Sequence, residues 1–555
     1  MQWRVHALFA ELSLRAPSWQ FVDVGNTGIV ALELQVVSET LAILLDFPGG
    51  APLQINNHIA WGALWTFKTN TVTLLDLLTN GFCASGHFLS NASMVSVGGS
   101  RAAAPGGADQ SGLISLRIFE PCTSSDGSGC GIFDDPAQAH ERCKMLIVGE
   151  IQEPNPFFNT PSMAVNTFEF FPATDGDVTR PSPFLERSMP ANLFPRIFAL
   201  PDGKIFMAAN SRTIIYDMEA RTERMLPDIP NGVRITNTYD GTAQLLPLSP
   251  AKYVPEVLVC GGTNSSDQVN PATELSSQDP ASDQCSRIVL TEEGIRKGWE
   301  VERMLEGRMM PEMVLLPSGE VLIINGVGTG YASTFGVRDL VGQSNADHPI
   351  LTPSLYTPSA PRGKRITNKG PPTSAIPRMY HSGVTLTPMG NLFVAGSNSN
   401  LFFNNNTVFN SELRAEYLNL PYTSMDCPVL RSVPKKIRYN RQFTISVDIP
   451  RSLRSGKMKV ALMDLGFSSH AFHSGNRVVF MDAELSSNGK TLKIMPPPNN
   501  RVYPPGPGFI YLTIDDVTSV GVQVMVGSGA TPPLADEGLL MNKSLFALFT
   551  NSVRL

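Results

Sequence analysis

Short apolar runs separated by turn residues recur along the chain up to about residue 430. The repeated pattern is an apolar strand, a turn containing Gly or Asn, a second apolar strand and then a small residue. It is complete in FLSNASMVSVGG (88–99), IFALPDGKIFMAAN (197–210), MVLLPSGEVLIINGVG (313–328) and VTLTPMGNLFVAGSN (384–398). MLIVGE (145–150) and VLVCGG (257–262) carry the second half of the pattern. Apolar strands joined by such turns predict antiparallel β-hairpins.

The small-residue ends of these hairpins fall near residues 98, 149, 208, 261, 326 and 396. The hairpin therefore repeats every 50 to 70 residues or so, a period typical of kelch-like β-propeller blades. A two-sheet β-sandwich is the alternative, but it does not explain why glycines recur at the same place in each hairpin. The pattern predicts an all-β chain that begins with a kelch-like propeller.

The pattern changes after about residue 430. In RQFTISVDIP (441–450) the apolar residues Phe443, Ile445, Val447 and Ile449 alternate with polar ones, as in a half-buried strand. Further strands are predicted at 457–463, 477–481, 490–495, 508–514 and 521–526. Strands at this spacing predict an immunoglobulin-like β-sandwich. We therefore expect three regions: an N-terminal segment at 1–19, a propeller at 20–429 and a C-terminal sandwich at 430–555.

The composition supports a turn-rich β protein and excludes other classes. The 555 residues include 46 Gly and 44 Pro, a surplus over the usual share. The net charge of -6 gives no polycationic surface, so nucleic acid is excluded as a partner. No run of about 18 apolar residues predicts a membrane span. Residues 2–14 faintly resemble a secretion signal, but Glu11 interrupts the apolar run and no clear cleavage site follows.

The seven cysteines are too few for a disulfide scaffold. Cys122 and Cys130 flank a short polar loop and Cys260 and Cys285 bracket a longer one, so each pair is a candidate disulfide. The odd count leaves at least one cysteine with another role or none. Four glycosylation sequons support secretion only weakly, because several arise by chance in a long chain; they lie at Asn91, Asn264, Asn405 and Asn542.

Two contexts stand out among the eight histidines. RMYHS (378–382) opens the last hairpin and places Tyr380 beside His381. Neighbouring strand residues normally face opposite ways, but a kinked strand entrance aims both at one point. FSSHAFH (467–473) carries His470 and His473 on a predicted loop. Because imidazole and phenolate suit copper, Tyr380, His381 and one of these two histidines form a candidate metal site.

One further segment, GFCASGHFLSNASMVSVGG (81–99), resembles the first-blade signature of the fungal glyoxal oxidases, which are copper radical oxidases related to galactose oxidase. Further stretches resemble motifs of the same family and occur in the family's order. They are NTFEFFP (166–172), NLFPRIFALPDGKIFMAANSRTIIYD (192–217), RMYHSGVTLTPMGNLFVAGSNSN (378–400) and the His470 segment with PPGPGFIYL (504–512). The resemblance covers nearly the whole chain from about residue 20. It implies a seven-bladed propeller, a galactose oxidase-like C-terminal domain, one copper ion and secretion.

The resemblance also implies roles for individual residues. Tyr380 matches the axial tyrosine, which takes the substrate's hydroxyl proton as general base. His381 and His470 match the two copper imidazoles, with His473 as a competing candidate for the second. Cys83 matches the cysteine that forms a thioether bond to a second tyrosine. That cross-linked tyrosine holds the radical and is the equatorial copper ligand in the family.

The second tyrosine has no counterpart in this sequence. The family carries it in an Arg-Trp-Tyr motif, but the corresponding stretch, GIFDDPAQAHERCKMLIVGE (131–150), contains neither Trp nor Tyr. No tyrosine precedes Tyr216, and Cys143 near the junction cannot host a phenoxyl radical. Family chemistry needs two electrons per turnover, one from copper and one from the radical. The sequence therefore predicts a copper site with no evident second redox equivalent.

Two functions remain open at this stage. The first is a secreted copper radical oxidase that oxidises small aldehydes, as hydrates, or α-hydroxy carbonyls to carboxylic acids while reducing O2 to H2O2. The second is a catalytically inactive kelch-type module that binds a glycan or cell-wall component. The missing tyrosine favours the module, whereas the retained Cys83, Tyr380, His381 and His470 favour the oxidase. Neither a nucleophile elbow nor a phosphate loop or dinucleotide fingerprint is present, so copper is the only cofactor expected.

Overall fold

The computed structural model describes residues 17–104, 106–135, 145–151, 157–171, 179–531 and 533. The regular structure in these ranges is nearly all β-strand, which confirms the all-β prediction. The α-helices are short and comprise Pro183–Arg187, Pro271–Glu274 and Glu292–Lys297. Single 3-10 turns occur at Pro230–Gly232, Pro421–Ser424 and Arg451–Leu453. Within the described ranges, no helix has the length and apolar character needed to cross a membrane.

Seven antiparallel sheets follow one another along the described chain, and we number them in chain order. Sheet 1 contains Glu33–Val36, Leu41–Leu45, Gly62–Thr66 and Thr71–Leu75. Sheet 2 contains Ser85–Phe88, Met94–Val97, Leu116–Phe119 and Ile132–Asp135. Sheet 3 contains Met145–Ile151, Ala164–Phe171 and Arg180–Pro181. Sheet 4 contains Arg196–Ala199, Ile205–Ala209, Arg212–Asp217 and Thr222–Met225.

Each of the remaining three sheets has four strands. Sheet 5 contains Gly241–Leu245, Glu256–Gly261, Gln284–Val289 and Glu300–Arg303. Sheet 6 contains Glu312–Leu315, Val321–Ile324, Ser354–Tyr356 and Ile366–Thr367. Sheet 7 contains Ser382–Leu386, Leu392–Gly396, Arg414–Asn419 and Gln20–Asn26. Two small ribbons stand apart and pair Gln54–Ile55 with His58–Ile59 and Val327–Thr334 with Ser344–Pro349.

The four complete hairpins predicted from the sequence are present as the first two strands of sheets 2, 4, 6 and 7. Two of the glycines at the hairpin ends stand where the packing leaves no room for a side chain. At Gly262 (φ +83°) an added Cβ would strike the carbonyl oxygen of Arg234, and at Gly396 (φ +70°) it would strike that of Ala31. At Gly262 and Gly396, one sheet therefore approaches the backbone that leads into another.

The first described strand completes the last sheet. Gln20–Asn26 pairs antiparallel with Arg414–Asn419, so both ends of the seven-sheet region meet in sheet 7. Each of these sheets is open, and the described residues contain no closed sheet. The arrangement of the sheets as a seven-bladed ring therefore stays a prediction at this point.

The C-terminal region folds as two further sheets, as the sequence predicted. One contains Val429–Arg431, Phe443–Asp448, Thr491–Ile494 and Ala483–Leu485. The other contains Lys436–Ile437, Val522–Val526, Gly506–Ile514, Met458–Asp464 and Arg477–Met481, with Val517–Thr518 at its side. Ile445 and Val447 are buried whereas Thr444 and Asp448 are exposed, which confirms the predicted alternation.

One hairpin leaves this region and joins sheet 1. Phe467–Ser469 pairs with Phe472–Ser474 and also with Glu33–Val36, so we call these two strands and their turn the 467–474 hairpin. The hairpin also contacts the first strands of sheets 2, 5, 6 and 7. The sequence predicted a loop here. The structure differs because the strand that pairs with this hairpin lies near the other end of the chain.

Both candidate disulfides are present in the structure. Cys122 is bonded to Cys130 in the loop between the last two strands of sheet 2, and Cys260 is bonded to Cys285 across two strands of sheet 5. Cys83 is a free thiol. Cys143 lies outside the described residues, as does the rest of 136–144, within the stretch where the expected tyrosine is missing.

We predict that Gly262→Ala destabilises the fold far more than Gly232→Ala. Both glycines have a positive φ, but an added Cβ at Gly232 meets no atom within 4 Å. Gly232→Ala is expected to lower the free energy of unfolding by about 1 kcal/mol, the cost of a left-handed backbone alone. Gly262→Ala adds a steric clash and is expected to cost about 3 kcal/mol. Urea unfolding measures both values, and equal losses would contradict the packing described here.

Candidate metal centre

His381 stands at the entrance of the first strand of sheet 7, with a left-handed backbone (φ +59°). Its Nδ1 lies 3.1 Å from the carbonyl oxygen of Asn398, so Nδ1 carries the proton and donates it there. Its buried Nε2 has no hydrogen-bond partner among the described residues. Burial lowers the pKa of His381 to about 3, which keeps the imidazole neutral. A neutral ring with an unpartnered nitrogen is the form that binds a metal.

His470 occupies the turn of the 467–474 hairpin, also with a left-handed backbone (φ +49°). Its Nδ1 is 2.7 Å from Ser469 Oγ, and its Nε2 is 3.4 Å from Cys83 Sγ. Burial, followed by the charges of His381 and Arg196, holds the pKa of His470 well below its usual value. Phe194 stacks on the ring, with centroids 3.9 Å apart and planes 11° apart. The ring is therefore neutral and fixed in orientation.

Tyr380 lies against both histidines. Its ring centroid is 3.6 Å from that of His381 and 5.7 Å from that of His470, and the two imidazoles are 5.1 Å apart. The kinked strand entrance therefore brings Tyr380 and His381 together as the sequence predicted. Burial, then the charges of Cys83 and Asp240, raises the pKa of Tyr380 well above its usual value. The phenol keeps its proton unless a cation lies beside it, because an adjacent positive charge favours the phenolate.

Cys83 brings a free thiol to the same place. It lies just before the first strand of sheet 2, and its backbone is left-handed (φ +68°). Burial, then the charges of Glu33 and Asp240, raises the pKa of the thiol well above its usual value. The preceding Phe82 packs edge-on against His381, with ring centroids 5.1 Å apart. Left-handed backbones in non-glycine residues are costly and cluster at functional sites, as at Cys83, His381 and His470 here.

A buried network that the sequence reasoning missed supports the site. Arg196 donates from Nη1 to the carbonyl oxygen of His470 (3.0 Å) and from Nη2 to Asp240 Oδ1 (3.1 Å). Asp240 Oδ2 accepts from Asn237 Nδ2 (2.9 Å), which also lies 3.4 Å from Tyr380 Oη. One chain of hydrogen bonds thus links the backbone of His470 to the hydroxyl of Tyr380. The only sequence signal was a charged residue, Arg196, at the start of an apolar strand.

His473, the competing ligand candidate, lies elsewhere. Its Nε2 is 2.8 Å from Glu312 Oε2, and Ser468 Oγ donates to the same oxygen at 2.7 Å. Both His473 and Glu312 are almost fully buried. His473 therefore anchors the 467–474 hairpin to sheet 6, while His470 at the turn faces Tyr380 and His381.

The residues fit a copper ion in part. Two neutral imidazoles and a phenol meet, and these are donors that copper accepts. In the described part of the chain no group of three or more His, Cys, Asp or Glu side chains could hold a metal. The family's Tyr–Cys thioether does not fit. The tyrosine that would bond to Cys83 has no counterpart, since the sequence contains no tyrosine before Tyr216.

The fold is galactose oxidase-like, and the similarities that follow make the chain an oxidoreductase. The chain belongs to the glyoxal oxidase family: the glyoxal oxidase N-terminus model matches residues 53–422. The galactose oxidase-like early set domain matches residues 427–526, which covers the two C-terminal sheets. The resemblance proposed from the sequence motifs is therefore confirmed.

Individual relatives agree with this family. The chain is 29% identical to an aldehyde oxidase of Vitis pseudoreticulata, over 88% of this chain and 93% of the relative. It is 27% identical to an aldehyde oxidase of Arabidopsis thaliana, over 87% and 78% of the two chains. A fungal alcohol oxidase solved in complex with copper has a similar fold, with a TM-score of 0.66 and 15% identity, over 92% of this chain and all of that one.

We predict that Arg196→Met destabilises the protein by about 3 kcal/mol or more, because it leaves the buried Asp240 carboxylate unpaired. Adding Asp240→Asn to that variant is expected to restore at least half of the loss. The control is Arg431→Met, which breaks the exposed Arg431–Asp448 pair and is expected to cost under about 1 kcal/mol. Urea unfolding compares the three variants. An equal loss in the free energy of unfolding for Arg196→Met and Arg431→Met would show that the buried network stabilises the protein no more than an exposed ion pair does.

Proposed function

We propose that the chain binds one copper ion through Tyr380, His381 and His470, and that its substrates are small aldehydes or α-hydroxy carbonyls. The observation that carries the proposal is the meeting of two neutral, buried imidazoles with a phenol. The unpartnered Nε2 of His381 adds to it, since a buried nitrogen without a hydrogen bond is costly unless it has a ligand. The names of the relatives, aldehyde oxidases, support the substrate class.

The reaction proposed for the family's chemistry is the oxidation of an aldehyde hydrate: RCH(OH)2 and O2 give RCOOH and H2O2. Copper held by Tyr380, His381 and His470 would supply one redox equivalent and a Lewis-acidic position for a hydroxyl oxygen. Beside a bound cation Tyr380 would have released its own proton, and its phenolate Oη, 3.4 Å from Asn237 Nδ2, would accept the hydroxyl proton of the substrate. Phe194 stacks on the ring of His470, and Phe82 packs edge-on against the ring of His381. His381 and His470 are kept neutral by burial and so remain available as ligands.

The second electron of this reaction has no evident source in the chain. In the family it comes from the cross-linked tyrosine, whose position is lacking here. We therefore propose that the site is complete for binding copper and substrate but incomplete for two-electron turnover. The transcript across codons 130–150 is informative, because an additional Arg-Trp-Tyr segment there would restore the family's residue set.

The inactive kelch-type binding module stays the alternative. The missing tyrosine favours it, but no contact in the described residues and no comparison supports a glycan or cell-wall component as the ligand. The retained metal-site residues argue against it, because a glycan-binding module has no need of two neutral imidazoles beside a buried phenol. A His381→Ala/His470→Ala double variant that kept every measurable function would favour the module.

We also propose that the seven sheets are the blades of a propeller at 20–429, followed by the sandwich at 430–555. Contacts between first strands support the ring, since sheet 1 touches sheet 7, sheet 7 touches sheet 6, sheet 6 touches sheet 5 and sheet 5 touches sheet 4. Secretion is proposed as well. The two disulfides support an oxidising compartment, and the sequon residues Asn264 and Asn405 are exposed.

We predict one copper per chain in the wild type. His381→Ala and His470→Ala are each expected to lose copper affinity by about 100-fold or more, because losing a residue that only hydrogen-bonds to a metal ligand already costs about 10-fold to 100-fold. His473→Gln is expected to bind copper like the wild type although it loses stability. The exposed His348→Ala serves as a surface control. Metal analysis after dialysis measures each stoichiometry. Loss of copper in His473→Gln but not in His470→Ala would contradict the assignment.

We predict that the copper-loaded protein releases no more peroxide from methylglyoxal than the His381→Ala variant does. The reason is the missing second redox equivalent, and the measurement is a peroxidase-coupled assay on protein of known copper content. Sustained peroxide release by the wild type, abolished in His381→Ala, would contradict the incomplete-site proposal and establish the oxidase activity.

A further inference from the structure

The loop at 397–411, between the second and third strands of sheet 7, presents apolar side chains to water. Three large ones are exposed: Leu401 by 36%, Phe402 by 43% and Val408 by 65%. Single exposed apolar residues are common on soluble proteins, but three within one short loop form a patch. Such a patch at a surface usually marks a place that another group covers.

A neighbouring loop extends this patch. It joins the two strands of the second small ribbon and carries Leu340, which is 37% exposed. The two loops are in contact, because Leu401 N donates to Gln343 Oε1 at 3.3 Å and an added Cβ at Gly342 would lie 2.4 Å from Thr407 Oγ1. The exposed apolar side chains therefore belong to one surface, which we call the 401–408 patch.

A glycosylation sequon begins at Asn405, within the 401–408 patch. Asn405 is exposed and lies three residues after Phe402 and three before Val408. The loop is closed by other residues, since Asn404 N donates to Ser411 Oγ at 2.9 Å and Ser411 N donates to the carbonyl oxygen of Asn404 at 2.7 Å. A bulky group attached to Asn405 would therefore project into solvent and leave these bonds intact.

The other two sequons in the described ranges lack this combination. Asn91 is half-buried, and its side-chain oxygen accepts from Ser93 N at 3.1 Å. Ser93 is fully buried, and its hydroxyl donates to Glu120 Oε2 at 2.7 Å. Asn264 is exposed, but polar residues follow it and its loop exposes no large apolar side chain. Exposure and apolar neighbours occur together only at Asn405.

We propose that Asn405 carries an N-linked glycan and that its inner sugars cover the 401–408 patch. The inference rests on the proposed secretion and is independent of the copper site. Attachment forms a bond from Asn405 Nδ2 to the anomeric carbon of a sugar and breaks the bond from that carbon to the diphosphate of a lipid-linked sugar donor. One amide proton passes to the released diphosphate. A glycan is bulky and solubilising, so it replaces an apolar surface with a hydrated one.

The test of attachment is expression of the full chain in a eukaryotic host, once with its own N-terminus and once behind a secretion signal of the host. An amidase that converts each glycosylated asparagine to aspartate, followed by peptide mass spectrometry, is expected to mark Asn405. Asn405→Gln and Thr407→Val are expected to lose one glycan from the intact mass. Thr407→Ser keeps the sequon and is expected to retain the glycan.

The covering role is measured with a dye that fluoresces on apolar surfaces. Asn405→Gln is expected to bind more dye than the wild type, and so is folded wild type from which the glycan has been removed enzymatically. Adding Phe402→Ser to Asn405→Gln is expected to reduce that gain, because the dye then loses part of the patch. Asn264→Gln is the matched control and is expected to leave dye binding unchanged.

The outcomes separate this inference from the proposed secretion. Signal-directed protein in the medium with an unmodified Asn405 overturns the inference and leaves the proposed secretion standing. A glycan on Asn405 whose removal does not change dye binding overturns the covering role. Failure of the chain with its own N-terminus to reach the medium contradicts the proposed secretion, and the signal-directed protein still decides whether Asn405 is modified.

Discussion

The pairing of the 467–474 hairpin with Glu33–Val36 is the constraint on which the site depends. It carries His470 from the C-terminal region to the place where His381 and Tyr380 open sheet 7. Buried polar contacts hold the hairpin there. Glu312 accepts a hydrogen bond from Ser468 and pairs with His473. Arg196 donates a hydrogen bond to the backbone carbonyl oxygen of His470 at the turn. Without that pairing, the two imidazoles would belong to separate parts of the molecule and no centre would exist.

Burial sets the chemistry of the residues that this pairing brings together. Desolvation disfavours every charged form, so both imidazoles are neutral while the phenol and the thiol keep their protons. The site therefore holds donor atoms but no charge of its own at neutral pH. A cation placed among these groups reverses the balance for the phenol and the thiol, because it favours their anions. Metal binding and deprotonation are thus coupled here.

The sequence predicted most of the local structure and only part of the site. The hairpins that end in glycine could be predicted from their turn residues and their period. Tyr380 and His381 could be identified in RMYHS because a phenol and an imidazole stand next to each other in one short segment. The segment FSSHAFH offered His470 and His473 together, and the choice of His470, like the role of Cys83, required the family resemblance. Arg196, Asp240 and Glu312 were missed, and the 467–474 hairpin was taken for a loop, because their partners lie far away along the chain and no local pattern records such pairing.

The central claim is that one metal centre forms at the turn of the 467–474 hairpin. Anomalous diffraction at the copper absorption edge, from crystals grown with copper, tests it most directly because it locates the metal without assuming any ligand. We predict a single strong peak within bonding distance of the Nε2 atoms of His381 and His470. A peak at His473 and Glu312 instead, or no peak near the hairpin turn, would contradict it.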